Sequence, residues 1–309
     1  MKPNTRERLI ASIVTRWTGI PLRAGDYVRV FGWSTALPLS KEWATESLGC
    51  LRELAPSIEG GLLVGSMDQR SRSIASISSD EFMAALGERN ELDSSMGGAH
   101  IRFRANGVGL LIDWMQDPDA PITTVAGTFS ERWLDDGEHV RSLKRFASRM
   151  TVAGRLEYLI AAHVSDEARK MRGTSGRGAA YRHESKPARG LPYVPWLLVL
   201  GPRYVDFFGK ARLASLDTFE AWWLDGCFAC TTSETPLDYG THAVQQREAS
   251  IRSVLGEESF IEQREPERVA SGPALPSGYK EWTPTPGGKV WDAYPAKDGV
   301  KVVERDRPV

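Results

Sequence analysis

The residues with the clearest potential for chemistry are two cysteines, Cys227 and Cys230, in the stretch WLDGCFACTTSE. A pair at this spacing can hold zinc only when two further cysteine or histidine ligands complete a tetrahedron. The third cysteine, Cys50, lies far away in the chain, and no two of the five histidines have the spacing of a zinc finger, which leaves a distant histidine as the alternative ligand. A redox pair begins a helix, whose dipole lowers the thiol pKa, whereas CFACTT is typical of a buried strand. We therefore predict two packed free thiols, with no metal and no cofactor.

The sequence lacks the common catalytic motifs: it has no phosphate-binding loop, no dinucleotide fingerprint, no HExxH and no GxSxG elbow. Two acids are nevertheless candidates for general-base or metal chemistry. Asp113 lies in the apolar strand LLIDWM, where burial would raise its pKa. Asp119, Glu184 and Lys186 partly match the metal-binding residues of restriction-type nucleases, but the spacing is too long. We predict that the chain is not an enzyme, and a metal-dependent hydrolase using Asp113 or Asp119 is the alternative.

Charges of the two signs nearly cancel, with 39 Lys and Arg against 40 Asp and Glu and a formal net charge of −1. No overall field therefore attracts nucleic acid or a membrane surface. One segment, 169–189, is locally cationic, with seven Lys or Arg and one acid, and could bind phosphates by counterion release. Tyr181 is its one aromatic residue for base stacking. We favour a solubilising loop, and a nucleic-acid module stays the third interpretation.

Two acidic clusters are candidates for the recognition of a partner. A partner with a basic, phosphate-binding cleft would attract them, because opposite fields raise the association rate and select the partner. Solvated helix ends are the alternative interpretation. The candidate partner-binding acids are Asp135, Asp136, Glu138, Glu257 and Glu258.

The ten tryptophans are a second source of recognition, since tryptophan is favoured both in cores and in interface hot spots. Trp33 directly follows a predicted strand, and we expect it to be exposed as an aromatic anchor for a partner. Two residues near the C-terminus, Trp282 and Trp291, are expected to be exposed as well. The tryptophans expected in the core are Trp43, Trp114 and Trp223.

Hydrophobic periodicity divides the chain into strands and helices that would position these residues. DYVRVFGW predicts a strand that ends at Gly32, and LSKEWATESLGCLRELAP predicts a helix capped by Ser40. Hairpins are predicted at Asn106-Gly107 and at Lys297-Asp298-Gly299. From Asp135 to about Met171 the apolar spacing predicts two helices or one bent helix. CFACTT predicts a strand, and LDTFEAWWLDG predicts a helix or an edge strand.

The order of these elements is strand, helix, strand, helix, then consecutive strands, then helices. This order indicates an α+β fold and not a doubly wound sheet. We predict a mainly antiparallel sheet with helices over one face, in a single large domain or two closely packed subdomains. Residues 1–265 would form this domain, with a mobile loop at 172–191, and residues 266–309 would be an extended C-terminal segment that packs on the surface.

Location is predicted from what the sequence lacks. The N-terminal stretch MKPNTRERLIASIVTRW has helical spacing and lacks the apolar core of a secretory signal. The longest other apolar run, YVPWLLVLG, is too short to span a bilayer. An odd number of cysteines in a long chain suits a reducing compartment. We therefore predict a cytoplasmic protein.

Three segments resemble one family of bacterial proteins: VRVFGWSTALPLSKEWATESLGCLRELAP, LLVGSMD and YVPWLLVLGPRYVDFFG. Their aromatic and glycine spacings are similar to those of the immunity proteins that guard against polymorphic toxins, in particular the immunity protein 52 family with its TsiT-like members of type VI secretion. The resemblance spans most of the chain. It implies an α+β immunity domain that binds a nuclease toxin of the restriction-endonuclease-like class and blocks it without catalysis of its own.

The hypothesis that follows is a cytoplasmic antitoxin that covers the active or functional surface of a cognate DNase effector. Its interface would be polar and partly acidic, with a few aromatic anchors. Such a protein needs neither a membrane nor direct contact with nucleic acid. The sequence leaves open which toxin it binds and how many copies of the chain assemble.

Overall fold

The computed structural model describes residues 27–35, 40–54, 61–64, 72–73, 78–81, 98–105, 108–115, 122–170, 190–260, 271–274, 289–296 and 299–306. In these residues ten strands form one sheet. They are β1 (Tyr27–Ser34), β2 (Gly61–Val64), β3 (Arg72–Ser73), β4 (Gly98–Ala105), β5 (Val108–Met115), β6 (Ile122–Ser130), β7 (Tyr158–His163), β8 (Leu197–Leu200), β9 (Glu220–Leu224) and β10 (Cys227–Thr231). Their order across the sheet is β3-β2-β4-β5-β6-β1-β7-β8-β10-β9, and neighbouring strands are antiparallel.

The described helices connect and cover these strands. They are α1 (Lys41–Leu54), α2 (Glu131–Leu134), α3 (Gly137–Ala153), α4 (Val164–Lys170), α5 (Pro202–Phe208), α6 (Lys210–Ala214) and α7 (His242–Leu255). A separate two-stranded sheet pairs β11 (Lys289–Ala296) with β12 (Gly299–Asp306). In the part of the chain that the structure describes, every helix is too short or too polar to cross a membrane.

The predicted α+β class with a mainly antiparallel sheet is confirmed, but the helices cover both faces of the sheet and not one. The reason lies in the central strands, which are apolar at odd and even positions alike. In β1, Val30 belongs to the core on one face and Phe31 to the core on the other. Strands of this kind need a helical layer on each side to exclude water from both sets of side chains.

The first layer consists of α1 and α3, which pack against each other and against the sheet. Leu48 of α1 and Leu143 of α3 are fully buried in this core. Ser40 caps α1 as predicted, since its Oγ accepts a hydrogen bond from the N–H of Trp43 at 3.1 Å. The second layer consists of α5, α6 and α7, and Ile251 of α7 is fully buried in the core beneath it.

The helical assignment from Asp135 to about Met171 is wrong in its middle. There α3 ends at Ala153, and β7 intervenes before α4 begins. Leu159 and Ile160 lie in the cores on opposite faces of the sheet, as neighbours in a strand do. The error has a simple cause, because helical and strand periods cannot be distinguished in a short apolar run.

Both predicted hairpins are confirmed. β4 and β5 pair on either side of residues 106–107, with Ala105 opposite Val108, and β11 and β12 pair on either side of residues 297–298. Other predictions fall outside the described residues. These are Asp119, Trp282, the segment 171–189 and the side chains of Asp113, Trp114 and Trp291. The division of the chain near residue 265 stays a prediction.

Candidate functional site

The two cysteines of the CxxC pair lie in β10, which keeps them apart. Side chains three residues apart in a strand point to opposite faces, and Cys230 lies in the core of the second layer. Cys50, Cys227 and Cys230 are free and buried, which confirms the predicted packed thiols. Burial raises the pKa of the Cys227 thiol to about 11 and that of Cys230 to about 12. Within the described residues, no group of three or more histidine, cysteine or acidic side chains is placed to hold a metal ion.

We expect these cysteines to resist thiol reagents while the protein is folded. At pH 8 an ordinary thiol, with a pKa of about 8.5, is roughly one quarter thiolate, whereas a thiol with a pKa near 11 is about one thousandth thiolate. Reaction with a chromogenic disulfide reagent should therefore be at least about 100-fold slower in the native protein than in denaturant. Rapid labelling of any cysteine in the folded chain would contradict this placement.

The candidate acids are exposed, but they belong to different layers of the molecule. In the first layer, Asp136 caps α3 by accepting the N–H of Glu138 at 2.8 Å, and Glu138 pairs with Arg141 at 2.7 Å. Near the end of α7, in the second layer, Glu257 pairs with Arg252. Local contacts thus account for several of these acids, and their part in partner binding stays a prediction. The exposed acids are Asp135, Asp136, Glu138, Glu257 and Glu258.

The prediction that Trp33 is exposed is wrong. Trp33 is 2% exposed, and its ring meets that of Tyr158 edge-on with centres 5.9 Å apart. The cause is the position of β1 between β6 and β7, in the middle of the sheet. Trp33 therefore cannot anchor a partner in this fold. Trp43 is buried as predicted, whereas Trp223, expected in the core, is 44% exposed because β9 is an edge strand.

A buried network of four charged side chains joins α4 to α7. Asp166, with 1% of its side chain exposed, accepts hydrogen bonds from Arg169 and Lys170, each at 2.6 Å. Glu248 on α7 accepts from Lys170 at 2.7 Å and from Arg169 at 3.2 Å. The ammonium of Lys170 also donates to the carbonyl of Val194 at 2.6 Å. The two cations balance the two anions, and all three ammonium N–H groups are used.

This network changes the interpretation of the cationic segment 169–189. Its first two cations, Arg169 and Lys170, are paired with Asp166 and Glu248, and their side chains are 32% and 13% exposed. Desolvation raises the pKa of Glu248, against the attraction of Lys170 and Arg169. The local sequence does not reveal the pairing, because Glu248 follows Lys170 by 78 residues.

Two further buried polar groups have partners that hold neighbouring elements together. Nδ1 of His163 accepts the N–H of Ser165 at 3.1 Å, so Nε2 carries the proton and donates to Glu131 at 2.6 Å. Glu157 accepts a hydrogen bond from Arg203, and burial raises the pKa of its carboxyl. With both ring nitrogens engaged, His163 links the end of β7 to the first turn of α4 and to Glu131. These arrangements stabilise the fold and do not present a reactive group to solvent.

The described surface best suited to binding is the edge strand β9. A two-residue turn, Asp225-Gly226, joins it to β10, and both residues have positive φ angles of 45° and 82°. This is the type I′ turn that an Asp-Gly dipeptide favours in hairpins. The dipeptide is the signal that decides between the helix and the edge strand left open for LDTFEAWWLDG. Among the described residues β9 pairs with β10 alone, and no described strand lies along its other side.

The two faces of β9 differ in what they contact. Trp222 packs on the first core, and its Nε1 donates to the Oγ of Ser148 on α3 at 3.0 Å. Trp223 points to the other face, where its ring lies 4.9 Å from that of Phe228. Phe219 directly precedes β9, its N–H donates to the carbonyl of Thr231 at 2.8 Å, and its side chain is 50% exposed. We define the β9 aromatic strip as three exposed residues of this edge, Phe219, Ala221 and Trp223.

The chain is structurally similar to a T6SS protein of Pseudomonas aeruginosa. The two have 12% sequence identity and a TM-score of 0.48, over 82% of this chain and 90% of that chain. At this distance the similarity identifies neither a function nor a partner. No family model matches the sequence, and no curated protein matches it. Membership of the immunity protein 52 family therefore stays a prediction.

Proposed function

We propose that this chain is an immunity protein that binds a cognate secreted nuclease toxin and neutralises it by covering its active or functional surface. The three segments that resemble the immunity protein 52 family support the proposal. The observation that carries it is the β9 aromatic strip, because exposed aromatic clusters mark protein-binding surfaces and supply most interface hot spots. The setting in type VI secretion comes from the resemblance and is part of the proposal.

The strip is large enough to anchor an interface. A fully covered aromatic side chain buries about 150–250 Å². Covering the exposed halves of Phe219 and Trp223 would therefore remove roughly 200 Å² of mainly apolar surface from water. At about 25 cal/mol per Å² this contributes roughly 5 kcal/mol before the costs of association are subtracted. A partner that covers both rings gains enough to offset much of that cost.

The strip is also held in place before any partner arrives. The bond from Trp222 to Ser148 fixes β9 to α3 on one face, and Lys144 of α3 pairs with Glu220 at 2.7 Å. A surface that is already ordered loses little conformational entropy on binding. This suits a protein that acts by occlusion, since blocking a toxin requires a stable complex and no catalysis.

The test uses the product of the gene next to this one. Expressed alone in a bacterial host it should stop growth, and co-expression of this chain should restore growth. The purified chain should form a stoichiometric complex with a catalytically inactivated form of that product, seen by size-exclusion chromatography. Toxicity that this chain fails to relieve would contradict the proposal, and so would turnover by the purified chain that Asp113→Ala abolishes.

A further inference from the structure

The outer side of β9 carries main-chain groups that another strand could use. In a two-residue hairpin the residues that flank the turn form a hydrogen-bonded pair, and bonded pairs then alternate with non-bonded ones. Leu224 flanks the turn opposite Cys227, and Trp222 lies opposite Ala229. Leu224 and Trp222 therefore bond to β10. The N–H and C=O groups of Ala221 and Trp223 point the other way, along the free edge.

The side chains on this edge form a defined shape. Ala221 and Trp223 are two residues apart in β9 and share one face of the strand. Ala221 is exposed, so its small side chain leaves room beside the ring of Trp223. A strand added to this edge would place one of its own side chains beside Ala221. A large apolar side chain fills that space and contacts the ring of Trp223.

The charges around β9 favour a strand from a different protein over a second copy of this chain. Residues 215–226 contain three acids, Asp217, Glu220 and Asp225, and no lysine or arginine. All three acids are exposed, although Lys144 pairs with Glu220 at 2.7 Å and Arg247 lies 3.8 Å from Asp217. A second copy of β9 would bring the same three acids to this edge, and like charges brought together on neighbouring strands are destabilising. The same field favours a basic strand.

We infer that the free edge of β9 binds an extended segment of the toxin as an added β-strand, rich in lysine or arginine and with a large apolar side chain beside Ala221. This inference rests on the proposed function and adds the binding element and its chemistry. The main-chain groups of Ala221 and Trp223 would provide the hydrogen bonds of the new ladder. The β9 aromatic strip would select the side chains of the partner.

The experiment measures, by calorimetry, the affinity of the purified chain for the catalytically inactivated product of the neighbouring toxin gene. Ala221→Pro removes one outward N–H and leaves the bonds from β9 to β10, as proline on an edge strand does. We expect its dissociation constant to rise at least about tenfold. Ala221→Ser keeps the N–H and is the matched control, with an expected change within about twofold.

A second pair of variants tests the strip independently of the main chain. Trp223→Ala should raise the dissociation constant by about 30-fold, the effect of losing an interface hot spot. Phe207→Ala removes an aromatic ring on α5 that is 40% exposed, and we expect a change within about twofold. Circular dichroism and thermal unfolding establish that each variant is folded. Trp223→Ala decides the question if Ala221→Pro does not fold.

The outcomes separate this inference from the proposed function. If the wild-type chain binds the inactivated toxin and both Ala221→Pro and Trp223→Ala bind equally well, the inference is overturned and the proposed function stands. If the wild-type chain does not bind, both are overturned. A wild-type dimer in sedimentation that Ala221→Pro dissociates would also overturn the inference, because the occupant would then be a second copy. Slower amide exchange over residues 219–224 in the complex supports it.

Discussion

Replacing Lys170 with methionine should lower the free energy of unfolding at neutral pH by about 3–5 kcal/mol, because the change removes one partner of a buried ion network. Methionine keeps much of the apolar stem but leaves Asp166 and Glu248 with Arg169 as the remaining cation of the network. It also removes the ammonium that donates to the carbonyl of Val194. Urea denaturation followed by tryptophan fluorescence measures the loss.

The loss should depend on pH in a definite direction. Burial already raises the pKa of Glu248 above its ordinary value of 4.5, and removal of the Lys170 charge raises it further. A carboxyl with a raised pKa in the folded state stabilises the fold while it is protonated, and this contribution disappears as the pH rises through the folded pKa. The difference between Lys170→Met and the wild type should therefore be largest near pH 7 and shrink towards pH 5.

A matched control is available on the surface of α3. Arg141 pairs with Glu138 at 2.7 Å, the distance at which Lys170 pairs with Glu248. The side chains of Arg141 and Glu138 are 63% and 52% exposed. Water and salt screen such a pair, so Arg141→Met should change the free energy of unfolding by less than about 1 kcal/mol. If Lys170→Met costs no more than Arg141→Met, then the network is screened in the same way and the argument from burial fails.

The parts of the fold that the sequence predicts correctly depend on local signals. The cap at Ser40 and the pairing of β4 with β5 around residues 106–107 are both predicted from residues that are close together in the sequence. Where the signal is periodicity in a short run, the prediction fails, and for that reason the helical spacing around Leu159 and Ile160 predicts a helix where the fold has β7. The helical layers on both faces follow from strands without polar positions, such as LLVL in β8.

Exposure in the candidate site depends on where each strand lies in the sheet, and a local pattern does not contain this information. Trp33 and Trp223 both stand in strands with alternating contacts, yet β1 is central and β9 is at the edge. The difference arises from pairing between distant segments, such as Val28 with His163. The ion network also depends on a contact between distant segments, because Glu248 on α7 follows Lys170 by 78 residues. Such contacts follow from the burial of the whole sheet, which decides the order of its strands.

Gly201→Ala should be as damaging as the loss of Lys170, although it adds one methyl group. Gly201 lies between β8 and α5, and its N–H donates to the carbonyl of Glu157 at 2.8 Å. A Cβ at this position would overlap the carbonyl oxygen of Leu156 and lie 3.0 Å from that of Glu157. These backbone atoms lead into β7, which is held between β1 and β8. Relief requires movement of a central strand, and we expect a loss of at least about 3 kcal/mol.

The expected damage is steric, since the backbone angles of Gly201, φ −72° and ψ 171°, are open to alanine. Gly49→Ala is the matched control, because the nearest atom to a new Cβ there is Nη2 of Arg149 at 3.9 Å. Alanine favours the helix more than glycine, so this variant should be more stable by about 0.5–1 kcal/mol. Calorimetric melting should therefore show opposite signs for the same added methyl group. Equal melting temperatures for the two variants would mean that the backbone at Leu156 moves away although it leads directly into β7, a strand paired on both sides.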